Sequence, residues 1–328
     1  MSRRIAISPP LAAVILAVVL FLLSGLLPNG FGSNPSVAVP QAINIIRLSV
    51  FLGIIAAGQT LVIISGGEGI DLSAGAVVTL AAILTYQIVN GKNEGVLPAL
   101  AAVLVVGAII GFLNGVGIAF LKISPLVMTL GMAGVVTGLI IATTQGAVRG
   151  AVAPIMTQLI ARPVFLNIPG AIIIYIFFAA LMWLLLERTA FGKHLFAIGT
   201  NRITSRLSGV RVTGMVLGTY ALAGALAGLG GFLFIGNTGV VEISLGDRFL
   251  FPSIAAVAVG GTLLSGGKGS FWGTMAGALV LTLITSLLTV VVSSPELREY
   301  AEAVRRMVLG ATLLIMISIY GRQRGFRQ

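Results

Sequence analysis

The sequence has no cysteine, a single histidine, and charged residues at only 9% of its 328 positions. Without cysteine there is no disulfide framework, no thiolate metal site and no thiol nucleophile. The lone His194, beside Lys193, supplies neither a metal cluster nor a catalytic triad and reads as a solvated loop residue. The shortage of charge is more telling. A soluble domain carries roughly a quarter charged residues, whereas this chain is 57% hydrophobic with a mean hydropathy of +1.10. Its solvent must therefore be lipid. No Gly-x-x-x-x-Gly-Lys-Ser/Thr loop occurs, so ATP is not bound by a P-loop in this chain. Carboxylates are also scarce in the apolar runs. Only Glu68 and Asp71 come near one, which argues against a carrier that binds protons or sodium within the membrane. No enzymatic residue set, metal or cofactor is expected.

What the sequence does contain is apolar runs, and a crossing helix needs about 20 such residues. Ten candidate spans follow: 11–27, 48–65, 72–89, 96–121, 126–142, 168–186, 212–235, 249–264, 271–292 and 304–320. Pro28, Pro40, Pro98, Pro125, Pro169, Pro252 and Pro295 lie near span boundaries, where a helix-breaking residue belongs. The basic start Ser2-Arg3-Arg4 precedes the first run without a small-residue cleavage site after it, so an uncleaved first helix is expected. The expected fold is an all-α polytopic bundle of about ten transmembrane helices forming one transmembrane domain over 1–328, with short tails at 1–10 and 321–328.

The net charge of +11 suits topology better than nucleic acid, because the basic residues alternate with apolar runs. With the N-terminus inside, Arg188, Lys193, Arg202, Arg206 and Arg211 share one inner connection. Glu94, Glu242, Asp247, Glu296, Glu299 and Glu302 then lie outside, and both termini are cytoplasmic. The chain holds 43 glycines. Gly107, Gly111 and Gly115, Gly224 and Gly228, and Gly273 and Gly277 recur every four residues, which favours close helix packing. Residues 155–160 read as a short interfacial helix. The stretch Ser65-Gly66-Gly67-Glu68-Gly69 recurs as Ser265-Gly266-Gly267-Lys268-Gly269, either as an internal repeat or as shared turn chemistry.

Two groups of residues carry functional expectations. Gln59, Asn114 and Thr129 are neutral polar residues in apolar spans, and they are expected to face a substrate path. Asn114 stands among Gly111, Gly115 and Gly117. The alternative is that they only bridge helices. The second group is in the inner loop 187–211. Asn201 is a good N-cap and Gly209 a good residue to end a helix, so residues 202–208 read as about two turns. Ile203 and Leu207 share one face of it, Arg202 and Arg206 another. A helix that short is unstable alone and needs a docking partner.

Four stretches resemble a known family. Gly67-Glu68-Gly69-Ile70-Asp71-Leu72-Ser73-Ala74-Gly75 is similar to its Gly-Gly-Ile-Asp-Leu-Ser-Val-Gly signature, and Ser124-Pro125-Leu126-Val127-Met128-Thr129-Leu130-Gly131-Met132 to a second one. Phe191-Gly192-Lys193-His194, continuing through Ala197-Ile198-Gly199-Thr200-Asn201 to Leu207-Ser208-Gly209-Val210, resembles its coupling loop. Ile254 to Thr262, with Gly260-Gly261, runs on through Ser265-Gly266-Gly267-Lys268-Gly269-Ser270 to Gly273-Thr274 and resembles its fourth. The family is that of the inner-membrane permeases of ribose-type ABC sugar importers, within the branched-chain amino acid/sugar permease superfamily. The match keeps order and spacing from about residue 43 to 320. Glu68, Leu126 and Thr200 depart from the family pattern.

The resemblance implies a multi-pass subunit of the bacterial inner membrane that imports a ribose-like monosaccharide or similar small polar solute. It implies a second permease chain, identical or related, and two cytoplasmic ATPases or one fused double ATPase. A periplasmic solute-binding protein completes the assembly. Nucleoside, autoinducer or amino acid cargo within the family, or a self-sufficient secondary carrier, are the alternatives. Arg202, Ile203, Arg206, Leu207 and Gly209 are expected to couple to the ATPase, the apolar pair entering a groove and the arginines meeting an acidic rim.

Overall fold

The computed structural model describes residues 8–26 and 35–292, with isolated positions at 303, 307, 310 and 311. The expected span 304–320 therefore lies outside the described residues, as do Pro28 and Pro295. Among the described residues, seven helices are long and apolar enough to cross a membrane. The fold is that of a polytopic helical membrane protein.

Helix α1 (Pro9–Leu23) leads to α2 (Pro35–Ile64), which starts thirteen residues before the expected span and carries Pro40 inside it rather than at its end. After a glycine-rich break come α3 (Ala74–Val89), α4 (Val96–Ala119) and α5 (Pro125–Thr144). Pro125 opens α5 at the first helical position, where its missing N–H costs no hydrogen bond. The short helix expected near residues 155–160 is α6 (Pro154–Ile160), seated by buried Met156 and Ile160. A small hairpin follows, β1 (Pro163–Phe165) with β2 (Ile168–Pro169). Leu166 and Asn167 between them are both left-handed, as a tight hairpin turn requires.

Helix α7 (Gly170–Trp183) unwinds through a single π-turn, Leu184–Arg188. The connection 187–211 is largely helical: α8 (Ala190–Thr200), then α9 (Arg202–Leu207). Helix α10 (Val212–Thr238) crosses next. It is followed by α11 (Asp247–Val259) and α12 (Phe271–Val292). The expected span 249–264 is corrected here. Helix α11 has 13 residues, contains Pro252, and ends in a turn after Val259. Hydropathy alone carried the run on through Leu263 and Leu264, because glycine pairs are not polar enough to interrupt it.

Helices α2 and α10 form the centre, α10 lying against α4, α3 and α2. The glycines decide how closely they pack. A Cβ on Gly107 would collide with the Gly224 carbonyl, one on Gly224 with the Gly107 carbonyl, and one on Gly228 with the Val103 carbonyl. The same holds for Gly273 against Gly260 and for Gly277 against Ala256. Backbone-to-backbone contact of this kind replaces the hydrophobic drive that lipid cannot supply. Around this centre, α1 and α5 show most of their surface outward, with Leu22, Leu130 and Val135 exposed.

Candidate functional site

The break between α2 and α3 leaves residues 65–73 outside any helix although Ser65, Asp71 and Ser73 are buried. In an apolar interior each free N–H and C=O must find a partner inside the protein. Three helices supply them. From α2, the Gln59 amide clasps Asp71: Nε2 donates to the Asp71 carbonyl at 2.6 Å and Oε1 accepts from the Asp71 N–H at 3.2 Å. From α5, Thr129 Oγ1 accepts from the Leu72 N–H at 3.0 Å and lies 3.2 Å from the Ile70 carbonyl. From α4, Asn114 Nδ2 donates to Ser73 Oγ at 2.9 Å. Within the segment, Asp71 Oδ1 accepts from both the Ser73 N–H at 2.9 Å and the Ser73 hydroxyl at 2.6 Å.

So the three residues expected along a path all converge on residues 70–73, with Gln59 and Asn114 at 1% and 0% exposure. Their polar atoms are turned to the break rather than to open space. Asn114 Oδ1 and, one helix away, the Tyr220 hydroxyl are buried without a partner among the described residues. Of the other hydroxyls in the spans, Thr85 and Thr219 donate to the carbonyl four residues back. Thr60 does so too, while also meeting Thr274 of α12 at 2.7 Å.

The two glycine-rich stretches that match in sequence also meet in space. Gly66, Gly67, Gly266 and Gly267 all have left-handed backbones (φ +71, +67, +89 and +73°), a conformation that glycine alone adopts freely. Gly199 of α8 is wedged between them. A side chain there would strike the Ile64 carbonyl and the Gly267 N–H, which bond each other at 3.0 Å. A Cβ on Gly266 would in turn collide with Gly66. Gly192 sits equally tightly under the Leu186 carbonyl, and Gly261 against the Pro9 ring.

Helix α9 hangs from this junction. Asn201 caps it, its Oδ1 accepting from the Ile203 and Thr204 N–H groups at 2.9 and 3.0 Å, and the left-handed Gly209 follows its end. Ile203 and Leu207 are 74% and 84% exposed, too much for two branched apolar side chains that merely finish a folded chain. Arg202 is expected with Arg206 at the acidic rim of an ATPase. It turns back into the protein, Nη2 donating to the Gly66 carbonyl at 3.0 Å, and covers Gly67. A guanidinium beside an open carbonyl finds a stronger partner than water offers. His194 is exposed on α8. The expectation that this segment is a loop missed α8 altogether. Leu195 and Ile198, three residues apart and fully buried, were the available signal.

A bundle of apolar helices with an interrupted pair at its polar centre, and a capped amphipathic helix at one end, is the architecture of a multi-pass membrane protein. The chain belongs to the branched-chain amino acid transport system / permease component family, whose pattern it matches over residues 41–317. It is 32% identical to the ribose import permease protein of Escherichia coli (strain K12) over 302 residues, covering 89% of each chain. It is 30% identical to the fructose import permease protein of Rhizobium meliloti, covering 95% of this chain and 85% of that one. It is also 30% identical to the autoinducer 2 import system permease protein of Escherichia coli (strain K12 / DH10B), covering 96% and 87%. No solved structure matches.

Proposed function

We propose that this chain is the membrane-spanning subunit of an ATP-binding-cassette importer in a bacterial inner membrane. Its cargo is a sugar or similar small polar solute, since two of the three relatives above are named for sugars. The single observation that carries the reading is α9. It is a capped helix too short to stand alone, it offers Ile203 and Leu207 outward, and it is tied by Arg202 to the carbonyl of Gly66. Such a helix supplies an anchor for an ATPase, while the sequence offers no P-loop of its own. The α9 end is then cytoplasmic, as are both termini.

Ile203 and Leu207 enter the groove of the ATPase, Arg206 borders it, and Asn201 and Gly209 fix the ends of the helix. Movement of the ATPase reaches the membrane through Arg202 and the Gly66, Gly199 and Gly267 junction. From there it reaches residues 70–73. Gln59, Asn114 and Thr129 serve the path by shaping that segment, whose buried Asp71 and Ser73 bond each other. The assembly holds a second permease chain, two ATPases or one fused double ATPase, and an external solute-binding protein.

The test is uptake into proteoliposomes. The permease alone should not accumulate ribose or fructose, whereas adding its partner ATPase and binding protein should give ATP-dependent uptake of the binding protein's ligand. Uphill uptake by this chain alone would identify a self-sufficient carrier and sink the reading.

A further inference from the structure

A cleft of about 350 Å³ opens beside α9, bounded by the end of α4, the start of α5, α9 and the start of α10. Its walls include Lys122, Arg202 and Arg206 and no carboxylate. Among the described residues the only salt bridge is Arg248 to Glu242, so none of the three cations is neutralised by a side chain. Arg202 spends one N–H on the Gly66 carbonyl, and its Nε is buried without a partner. Like charges crowded around one hollow repel each other, and a neutral ligand would leave that repulsion in place. An anion relieves it.

The backbone favours the same sign. Ser124 and Pro125 place the N-terminus of the 20-residue α5 at the cleft, and Val212 and Thr213 place that of the 27-residue α10 there. The first N–H groups of each helix have no intrahelical acceptor, and their dipoles attract negative charge. Pro125 has no N–H and the Val212 N–H donates to the Val210 carbonyl at 2.9 Å, but neither Ser124 nor Arg211 makes a side-chain cap bond to the N–H groups that follow. Two hydroxyls, of Ser124 and Thr213, complete the rim. The floor is apolar, Ile118 and Val216, and suits a group that is charged at one end only.

We propose that this cleft binds a phosphate group, carried either by a lipid headgroup or by a soluble phosphate. Tetrahedral oxygens match a set of separate donors spread around a hollow, with Lys122 as a point charge and the two arginines as planar forks. The position gives the site a consequence. Arg202 lines the cleft and also bonds Gly66, so a phosphate drawing on Arg202 competes with the contact that fixes α9 to the glycine junction. The inference is independent of what cargo crosses.

The test uses the full chain in lipid nanodiscs. In phosphatidylcholine discs, radiolabelled inorganic phosphate should bind saturably and be displaced by sulfate but not by chloride at equal ionic strength. In a second arm, native mass spectrometry follows retention of phosphatidylglycerol from mixed discs. The variant Lys122→Gln with Arg206→Gln should weaken retention in the responding arm about tenfold or more, two charge-assisted contacts being lost. Lys122→Arg with Arg206→Lys keeps both charges and should bind within about threefold of the parent, which separates charge from folding damage. Response to free phosphate identifies a soluble ligand, and response to phosphatidylglycerol alone identifies a headgroup site. If neither arm depends on Lys122 and Arg206, the proposal is overturned. If the glutamine pair leaves phosphate retention unchanged but, in a separate co-purification with the ATPases, loses them, the cleft is a partner contact and the proposal is equally overturned.

Discussion

The breaks at residues 65–69 and 265–269 share four of five letters and the same pair of left-handed glycines, yet they end in different surroundings. The first has Ser65, Gly66 and Gly69 buried and runs into residues 70–73, where Gln59 of α2, Thr129 of α5 and Asn114 of α4 bond Asp71, Leu72 and Ser73 respectively. The second lies between α11 and α12 with Ser265 and Lys268 exposed. It closes on itself, Leu263 donating to the Lys268 carbonyl at 2.9 Å, and then starts α12 with Ser270 accepting from the Gly273 N–H at 3.1 Å. Local sequence sets the turn in both. Whether the turn carries a polar segment into the membrane depends on which side chains distant helices bring to it.

Substitutions should break this comparison at graded cost. Gly199 touches both breaks, so Gly199→Val should do the most damage. A branched side chain has no room beside the Ile64 carbonyl and Gly267, and the loss should be about 3 kcal/mol, read as a large fall in melting temperature or failure to accumulate. Next comes the first break alone. Gln59→Leu strands both backbone groups of Asp71 and should cost about 2–3 kcal/mol. The second break has no equivalent clasp. Its nearest counterpart, Thr274→Val, removes one hydroxyl contact to Thr60 and should cost about 1 kcal/mol. Thr129→Val, nearly isosteric, leaves the Leu72 N–H unpaired and should fall between the two, at about 1–2 kcal/mol. If Gln59→Leu proves no worse than Thr274→Val, the two breaks are energetically alike and the distinction fails.

Most crossing helices were legible because an uninterrupted apolar run is a strong signal: residues 271–292 matched α12 end to end. The ends of α9 were legible for another reason. An asparagine cap and a terminal glycine act within three residues, and the structure keeps both. Residues 249–264 and 187–211 misled for opposite reasons. Apolar side chains continue past the glycine turn that ends α11, while Lys193, His194 and two glycines mask the buried stripe of α8. Gln59, Asn114 and Thr129 stood out as polar residues in apolar runs, but their common target did not. Partners 12, 41 and 57 residues away are set by how the bundle closes, and no local pattern encodes them. The inward turn of Arg202 was hidden in the same way, its acceptor lying 136 residues distant.

The smallest expected effect on stability carries the most direct test. Ile203 and Leu207 make little contact with their own bundle, so replacing both with Asp should change the permease's stability by no more than about 0.5 kcal/mol. Docked in an ATPase groove, each would contribute roughly 1.5–3 kcal/mol by burial, and a carboxylate in its place would be expelled. The measurement is co-purification of the ATPases with the Ile203→Asp, Leu207→Asp permease, taken beside its melting temperature. The account predicts an unchanged melting temperature and loss of the ATPases. Retention of the ATPases by a folded double variant would contradict it, and α9 would not be the element through which this permease is driven.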